Sequence, residues 1–288
     1  MSRDPSYGIV DRDYGLHLAT RSPDDDGPIW MVNLMRYRER AVYADGSDEG
    51  RSGREADDEY APVDVLTDIG ADIPFLAEVE TQALGTGPAW DRVAVVRYPT
   101  RRAFIDMQSR SDFRERHVHK EAGMAATIVM GCVPMAVPAL PEGIEEVDWA
   151  AVPHPPTDDD GPLMVIHVLS FHDPDGAERT PEHMSAYQQV AAESAAAQGI
   201  RIGGWFSVEG TILGDGRRWH QVRFNEFPSR RAFMAVVNDP RRLEAQRDHR
   251  EAAIADTYTL MTRATTPFRP PSRARERKRG PASRAPPQ

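Results

Sequence analysis

Two apolar runs, each introduced by the same polar pentapeptide, set the plan of the chain. "DDDGP" at Asp24 to Pro28 leads into "IWMVNLMRY", and "DDDGP" at Asp158 to Pro162 leads into "LMVIHVLSF". Apolar runs of this length bounded by Gly and Pro predict buried strands. Two further islands repeat in the same order. "LGTGPAWDRVAVVRYPTRRAF" from Leu84 aligns with "LGDGRRWHQVRFNEFPSRRAF" from Leu213, and "HKEAGMAATIVM" from His119 with "HREAAIADTYTLM" from His249. Three islands in one order indicate a tandem duplication.

Within each copy the pattern predicts β-α-β-β-α-β. A first helix is expected over residues 54–69 and again over 181–198, the latter stopped by Gly199. A hairpin follows, turning at "GTG" in one copy and at "GDG" in the other. Thr100 and Ser229 then stand where a helix N-cap belongs, and the second helix, with breaks expected near Ser111 and Asp239, gives way to a last strand. This is the split β-α-β pattern of ferredoxin-like folds. The domain plan is an N-terminal extension (1–26), a first domain (27–137), a Pro-rich acidic linker running extended over the surface (138–160), a second domain (161–266) and a disordered basic tail (267–288).

Composition narrows the function classes. The formal net charge is −10, and because Arg269 to Gln288 carries a net +6, residues 1–268 carry −16. An acidic body is a poor nucleic-acid binder, and a monomer or homodimer is expected. No apolar run approaches the ~20 residues of a membrane span, and the first residues lack the pattern of a secretory signal, so the expected location is the cytoplasm. The single Cys132 excludes an internal disulfide framework and a Cys-based zinc cluster, and its apolar neighbours predict a packed strand residue.

"MVNLMRY", "SGREA", "WDRVAVVRYPTRRAF" and "HKEAG" resemble a short family of unknown function in the dimeric α/β-barrel superfamily, which also holds antibiotic-monooxygenase-like and muconolactone-isomerase-like domains. The resemblance implies an α+β fold in which two tandem ferredoxin-like domains pack sheet to sheet as a pseudo-dimeric barrel within one chain. It also implies a cavity, within the barrel or between sheet and helices, that takes a small organic molecule. Because the superfamily hosts isomerases, cyclases, cofactor-free oxygenases and haem enzymes, the reaction stays open.

Strand alternation then separates two faces. Trp30, Val32 and Leu34, with Met164, Ile166 and Val168, form an all-apolar set expected to pack on helices, joined by Phe75, Ala77, Phe206 and Val208 of the second strands. The opposite, mixed face is expected to line the cavity: Asn33, Met35 and Tyr37 in one copy, and His167, Leu169 and Phe171 in the other. Glu80, Glu209 and Trp205 are expected on that same face, with Tyr187 reaching it from a helix. His167 is the expected proton-transfer residue, with Glu209 assisting it and raising its pKa if the two are adjacent. A hydrogen-bonded core histidine and solvated carboxylates remain the alternative. Arg97 and Glu226 are aligned and could pair across the pseudo-twofold axis. His117 and His119, two apart on a helix, diverge too far to hold one metal ion. No cofactor is expected; a haem enzyme, with His119 or His249 as axial ligand, stands behind the acid-base enzyme and a non-catalytic binding module.

Overall fold

The computed structural model describes residues 5–47, 50–137 and 147–269. Its elements in chain order are β1 (Ile9–Val10), α1 (Arg12–Thr20), β2 (Ile29–Tyr37), α2 (Gly53–Tyr60), α3 (Val63–Asp68), β3 (Asp72–Leu84), β4 (Arg92–Tyr98), α4 (Arg101–Met107), α5 (Ser111–Gly123) and β5 (Met124–Pro134). After a short 3-10 turn (Trp149–Ala151) come β6 (Leu163–Phe171), α6 (Glu182–Ala197), β7 (Arg201–Gly214), β8 (Gln221–Phe227), α7 (Arg230–Val237) and α8 (Pro240–Ala245). A π turn (Gln246–Arg250), α9 (Glu251–Ala253) and β9 (Ile254–Thr266) complete the chain.

The fold is mixed α+β around an eight-stranded antiparallel barrel. The strands run β7-β5-β2-β4-β3-β9-β6-β8, the β7–β8 pairing closes the ring, and β1 adds to β7 outside it. The long strands β3 and β7 cross between the halves: β3 pairs with β4 and then with β9, and β7 with β8 and then with β5. Each half therefore extends one hairpin strand into the sheet of the other.

The barrel interior reverses one expectation. Trp30, Val32, Leu34, Met164, Ile166 and Val168 do not face helices; with Phe75, Ala77, Phe206 and Val208 they fill the centre of the barrel as one core drawn from both halves. Helices cover the outside, where α3 and α4 pack on Ile29 and Met31, and α7 on Leu163 and Val165. Strands buried on both sides read as continuous apolar runs, so their sequence holds no phase that tells inside from outside.

The repeated pentapeptide has a structural use beyond ending a solvated stretch. Its last Asp accepts two amides at a helix N-terminus: Asp26 from Arg101 and Arg102 at 2.9 and 3.1 Å, and Asp160 from Arg230 and Arg231 at 2.7 and 3.2 Å. Thr100 and Ser229 cap the same helices from within, accepting from Ala103 and Ala232. Although partial burial opposes it, these amides hold both aspartates below the ordinary carboxylate range. The expected first helix over 54–69 is split between α2 and α3 at Pro62, and the second helices break at the expected places.

Parts of the segments flanking and joining the two halves are built into the fold. The N-terminal segment is folded: β1 pairs with β7, Leu18 of α1 is fully buried, and the Tyr14 hydroxyl donates to Glu209 at 3.2 Å. Of the linker, residues 138–146 lie outside the described residues, whereas Trp149 docks on the second half by donating to the Gly199 carbonyl at 2.7 Å and lying 3.9 Å beneath the Arg201 guanidinium. Phe268, assigned above to the tail, packs on the barrel core against Phe75, Phe206 and Phe224, stacking on the last at 4.9 Å. The remainder of the tail, 270–288, lies outside the described residues. Cys132 is fully buried, as a packed strand residue would be. Among the described residues no helix is long and apolar enough to cross a membrane.

Candidate functional site

Equivalent rows of side chains run across the helix-covered faces of the two half-sheets. In the first half the row is Val129, Asn33, Ala94, Leu76; in the second it is Thr259, His167, Arg223, Trp205. Helices stand off both rows, leaving a cavity of about 370 Å3 in the first half and about 480 Å3 in the second. The expected site is thus divided. Asn33 and Met35 line the first cavity, while His167, Leu169, Trp205 and Tyr187 line the second.

The other expected residues lie elsewhere. Tyr37 donates to Asp57 at 2.7 Å, and Phe171 stacks on His220. Glu80 forms ion pairs with Arg263 and Arg230 at 2.7 and 3.2 Å, away from both cavities. Glu209 is gripped by Arg101 at 2.5 Å and lies beyond Trp205 on the stretch of β7 that pairs with β5, so it does not assist His167. Arg97 pairs with Asp72 at 2.7 Å rather than with Glu226. His119 meets the Tyr43 hydroxyl at 2.8 Å and His249 meets His183 at 3.4 Å, and neither lines either of these two cavities.

The second cavity is apolar at its walls and cationic at its base. Met184, Tyr187, Phe227 and Phe233 contribute to the walls, and Arg223, Arg242 and Arg250 line it, whereas none of its lining residues is Asp or Glu. Arg223 lies 4.1 Å above the Trp205 ring and donates only to neutral oxygens, those of Gln221, Gln188 (3.0 Å) and Thr180 (3.5 Å). Arg242 donates to the Tyr187 hydroxyl at 3.0 Å, to the Val237 carbonyl and to Gln246. Arg250 comes from the π turn and lies 6.0 Å from the Tyr187 ring centre. Burial, then Arg250, pulls the Arg223 pKa down to about 9, which leaves the guanidinium charged at neutral pH.

These charges set the state of His167. Its Nδ1 lies 3.1 Å from Thr259 Oγ1, and Nε2 has no protein partner among the described residues. Burial first, and then Arg250, Arg223 and Arg242, drive its pKa down to about 3, so the ring is neutral. This is the reverse of the expected upward shift, because arginines rather than a carboxylate surround it.

The first cavity is balanced differently. Arg92 reaches Asp57, Asp58 and Glu78 at 3.4, 3.0 and 3.1 Å, so its charge is already met. Asn33 donates to its own strand at the Met31 carbonyl. At the position of Arg223 this half has Ala94. Each cavity is closed in part by the other half's hairpin, the first by Ile212 and Leu213, the second by Ala83 and Leu84.

Strand alternation held a usable signal for Arg223. Gln221, Arg223 and Asn225 share one face of β8 between the core residues Val222 and Phe224. Arg242 and Arg250 had no such signal, since only the packing of α8 and the π turn brings them to the sheet.

No protein-family model matches the sequence, and no curated protein does. Solved structures do show a likeness. A protein of unknown function from Rhodopseudomonas palustris is 25% identical over 46% of this chain and 98% of its own, with a TM-score of 0.39. A mutant chlorite dismutase from Candidatus Nitrospira defluvii is 11% identical over 82% of this chain and 91% of its own, with a TM-score of 0.45. A protein proposed to be a monooxygenase, from Lactobacillus acidophilus NCFM, is 12% identical over 83% and 94%, with a TM-score of 0.39. At these TM-scores the likeness says nothing about chemistry.

Proposed function

We propose that the protein binds a small apolar or aromatic organic anion in the second cavity and acts on it by acid-base chemistry at His167. The observation that carries this reading is a cavity of about 480 Å3 lined by Arg223, Arg242 and Arg250, with no Asp or Glu among its lining residues. Unbalanced buried charge is costly, and an acidic ligand relieves it while its apolar body covers the walls. Planar guanidinium groups match a carboxylate or phenolate in bidentate fashion.

Anion binding would also prepare His167. Neutralising the arginines removes part of what depresses its pKa, so the imidazole becomes a stronger base when the ligand is in place. The Thr259 hydroxyl fixes the ring through Nδ1 and leaves Nε2 for the ligand. The two halves, 27–137 and 161–266, we further propose to be tandem ferredoxin-like units of the dimeric α/β-barrel superfamily. In support, the strands of each half run in the order fourth, first, third, second: β5-β2-β4-β3 and β9-β6-β8-β7.

The test pairs acids with their neutral amides. Benzoate and 2-naphthoate should raise the melting temperature where benzamide and 2-naphthamide do not, and Arg223→Gln should abolish the difference. Equal shifts by acid and amide would overturn the reading. For a substrate found within this class, His167→Asn should leave binding intact and slow turnover by ~10²–10⁴-fold.

A further inference from the structure

Lysine is nearly absent from this protein. Of 35 Lys and Arg residues only Lys120 and Lys278 are lysines, and Lys120 lines the first cavity. Its aligned partner in the second half is Arg250. The two hold the same station: the Lys120 Nζ lies 5.1 Å from the Tyr60 ring centre, as the Arg250 guanidinium lies 6.0 Å from that of Tyr187. Where a chain built on arginine places an amine at one of two equivalent positions, the difference is chemical: an amine can lose its proton and a guanidinium cannot.

The surroundings favour that loss. Among the described residues no ion pair or hydrogen bond reaches the Lys120 side-chain amine, which lies against the Tyr60 ring. Asp57 of α2 is committed to the Tyr37 hydroxyl and to Arg92 of β4. Tyr7, Tyr60 and Tyr98, whose hydroxyls burial keeps protonated, also face this space. Burial pushes the Lys120 pKa down, with Asp57 only partly opposing. His117, one helical turn earlier on α5, lines the same cavity. Its Nδ1 is buried without a partner, and burial and then Lys120 bring its pKa down to about 4, so it is a neutral proton acceptor.

We propose that Lys120 is an amine nucleophile that condenses with a neutral aldehyde or ketone of apolar body in the first cavity. The Nζ lone pair adds to the carbonyl carbon and the C=O π pair moves to oxygen. A proton passes from nitrogen to that oxygen, with His117 accepting and returning it; the carbinolamine hydroxyl then takes up one further proton from solvent, and the C–O bond breaks with loss of one water to leave a protonated imine. Hydrolysis reverses each step, so no oxidant or further reactant is needed. Apolar walls that include Met31, Leu66, Phe104 and Phe113 limit water and favour the imine. The carbonyl compound is neutral because the Arg92 charge is already matched.

Trapping on the full chain with benzaldehyde and sodium cyanoborohydride tests this, since only Lys120, Lys278 and the terminal amine can be labelled. At neutral pH the peptide bearing Lys120 should label several-fold faster than that bearing Lys278, because burial lowers the Lys120 pKa. The advantage should shrink as pH rises to where both amines are free. His117→Gln should slow labelling at Lys120 and leave Lys278 unchanged, while Lys120→Arg should remove the fast label altogether. Added benzoate, directed to the second cavity, should not compete. Labelling of Lys120 no faster than Lys278 in the unmodified protein would overturn the proposal, and that comparison stands even if a variant fails to fold.

Discussion

Arg101 of the first half grips Glu209 of the second, Nε to Oε1 at 2.8 Å and Nη2 to Oε2 at 2.5 Å, and Arg230 of the second half reaches Glu80 of the first at 3.2 Å. The two clamps are one contact with the halves exchanged. Each fastens the crossing strand of one half to the helix N-terminus of the other, next to the Asp that caps it. The barrel seam and the wall of each cavity are therefore held by the same residues.

The clamps differ in burial, and so should their worth. The side chains of Arg101 and Glu209 are 6% and 19% exposed, against 42% and 32% for Arg230 and Glu80. Arg101→Met, which strands a buried carboxylate, should cost about 3 kcal/mol, whereas Arg230→Met should cost less than about 1 kcal/mol. Urea unfolding of both variants measures the difference, and equal losses would contradict it. Although burial opposes it, Arg101 holds the Glu209 pKa below its ordinary value. This contribution is therefore present above the unfolded carboxylate pKa and lost as pH falls through the folded one.

The buried histidines give stability a second, milder-acid slope. His167 and His117 have folded pKa values of about 3 and about 4. Below about pH 6.5 the unfolded chain takes up protons that the folded chain refuses, so stability should fall as pH drops from there toward those values. Each histidine contributes at most about 1.4 kcal/mol per pH unit, less where solvent enters the cavity. His167→Asn should flatten the dependence of melting temperature on pH between about 4 and 6.5, and an unchanged slope would show that the ring is not held neutral.

Much of the architecture was legible because similar stretches of sequence recur in the two halves. Pairs such as Thr100 and Ser229, or Gly85 and Gly214 in the hairpins, mark equivalent turns and caps in both copies, and the strands and helices fall between them. The direction in which each strand faces was not legible. Val32 and Met31 are both fully or almost fully buried, one in the barrel and one under helices, so hydrophobicity does not distinguish them. The Glu209–His167 pairing failed for a related reason: β7 is long enough to serve two sheets, and Glu209 sits on the part that has crossed to the other half. Asn33 and His167 were legible as polar residues in apolar strands, but the arginines that set the chemistry around His167 arrive from β8, α8 and the π turn.

Phe268 should add measurably to the stability of the barrel. It packs against three core phenylalanines, and Arg269 donates its amide to the Pro74 carbonyl at 2.9 Å. A chain ending at Arg269 should melt like the full protein, while one ending at Pro267 should lose about 1–2 kcal/mol, as expected for a partly buried aromatic. Thermal unfolding of the two truncations decides, and identical melting temperatures would mean that the ring contacts contribute nothing.

The crossing strands make each half incomplete by itself. Residues 1–137 alone would lose the β9 partner of β3 and the β7 partner of β5, leaving two unpaired sheet edges. The apolar interior formed by Trp30, Val32, Leu34 and Phe75 would face water. Because the second half supplies the same elements in the same order, a second copy of the first half can stand in for it. The fragment should therefore sediment as a dimer, or aggregate where two copies of Trp30, Val32, Leu34 and Phe75 fail to fill the barrel as the two different halves do. In the dimer the clamp should be rebuilt between copies as Arg101 with Glu80, so that Glu80→Gln in the fragment weakens dimerisation by more than it destabilises the full chain. Sedimentation equilibrium on the fragment and on its Glu80→Gln variant, with urea unfolding of the same variant in the full chain, measures both effects; a soluble, folded monomer of the fragment would show that the halves close independently.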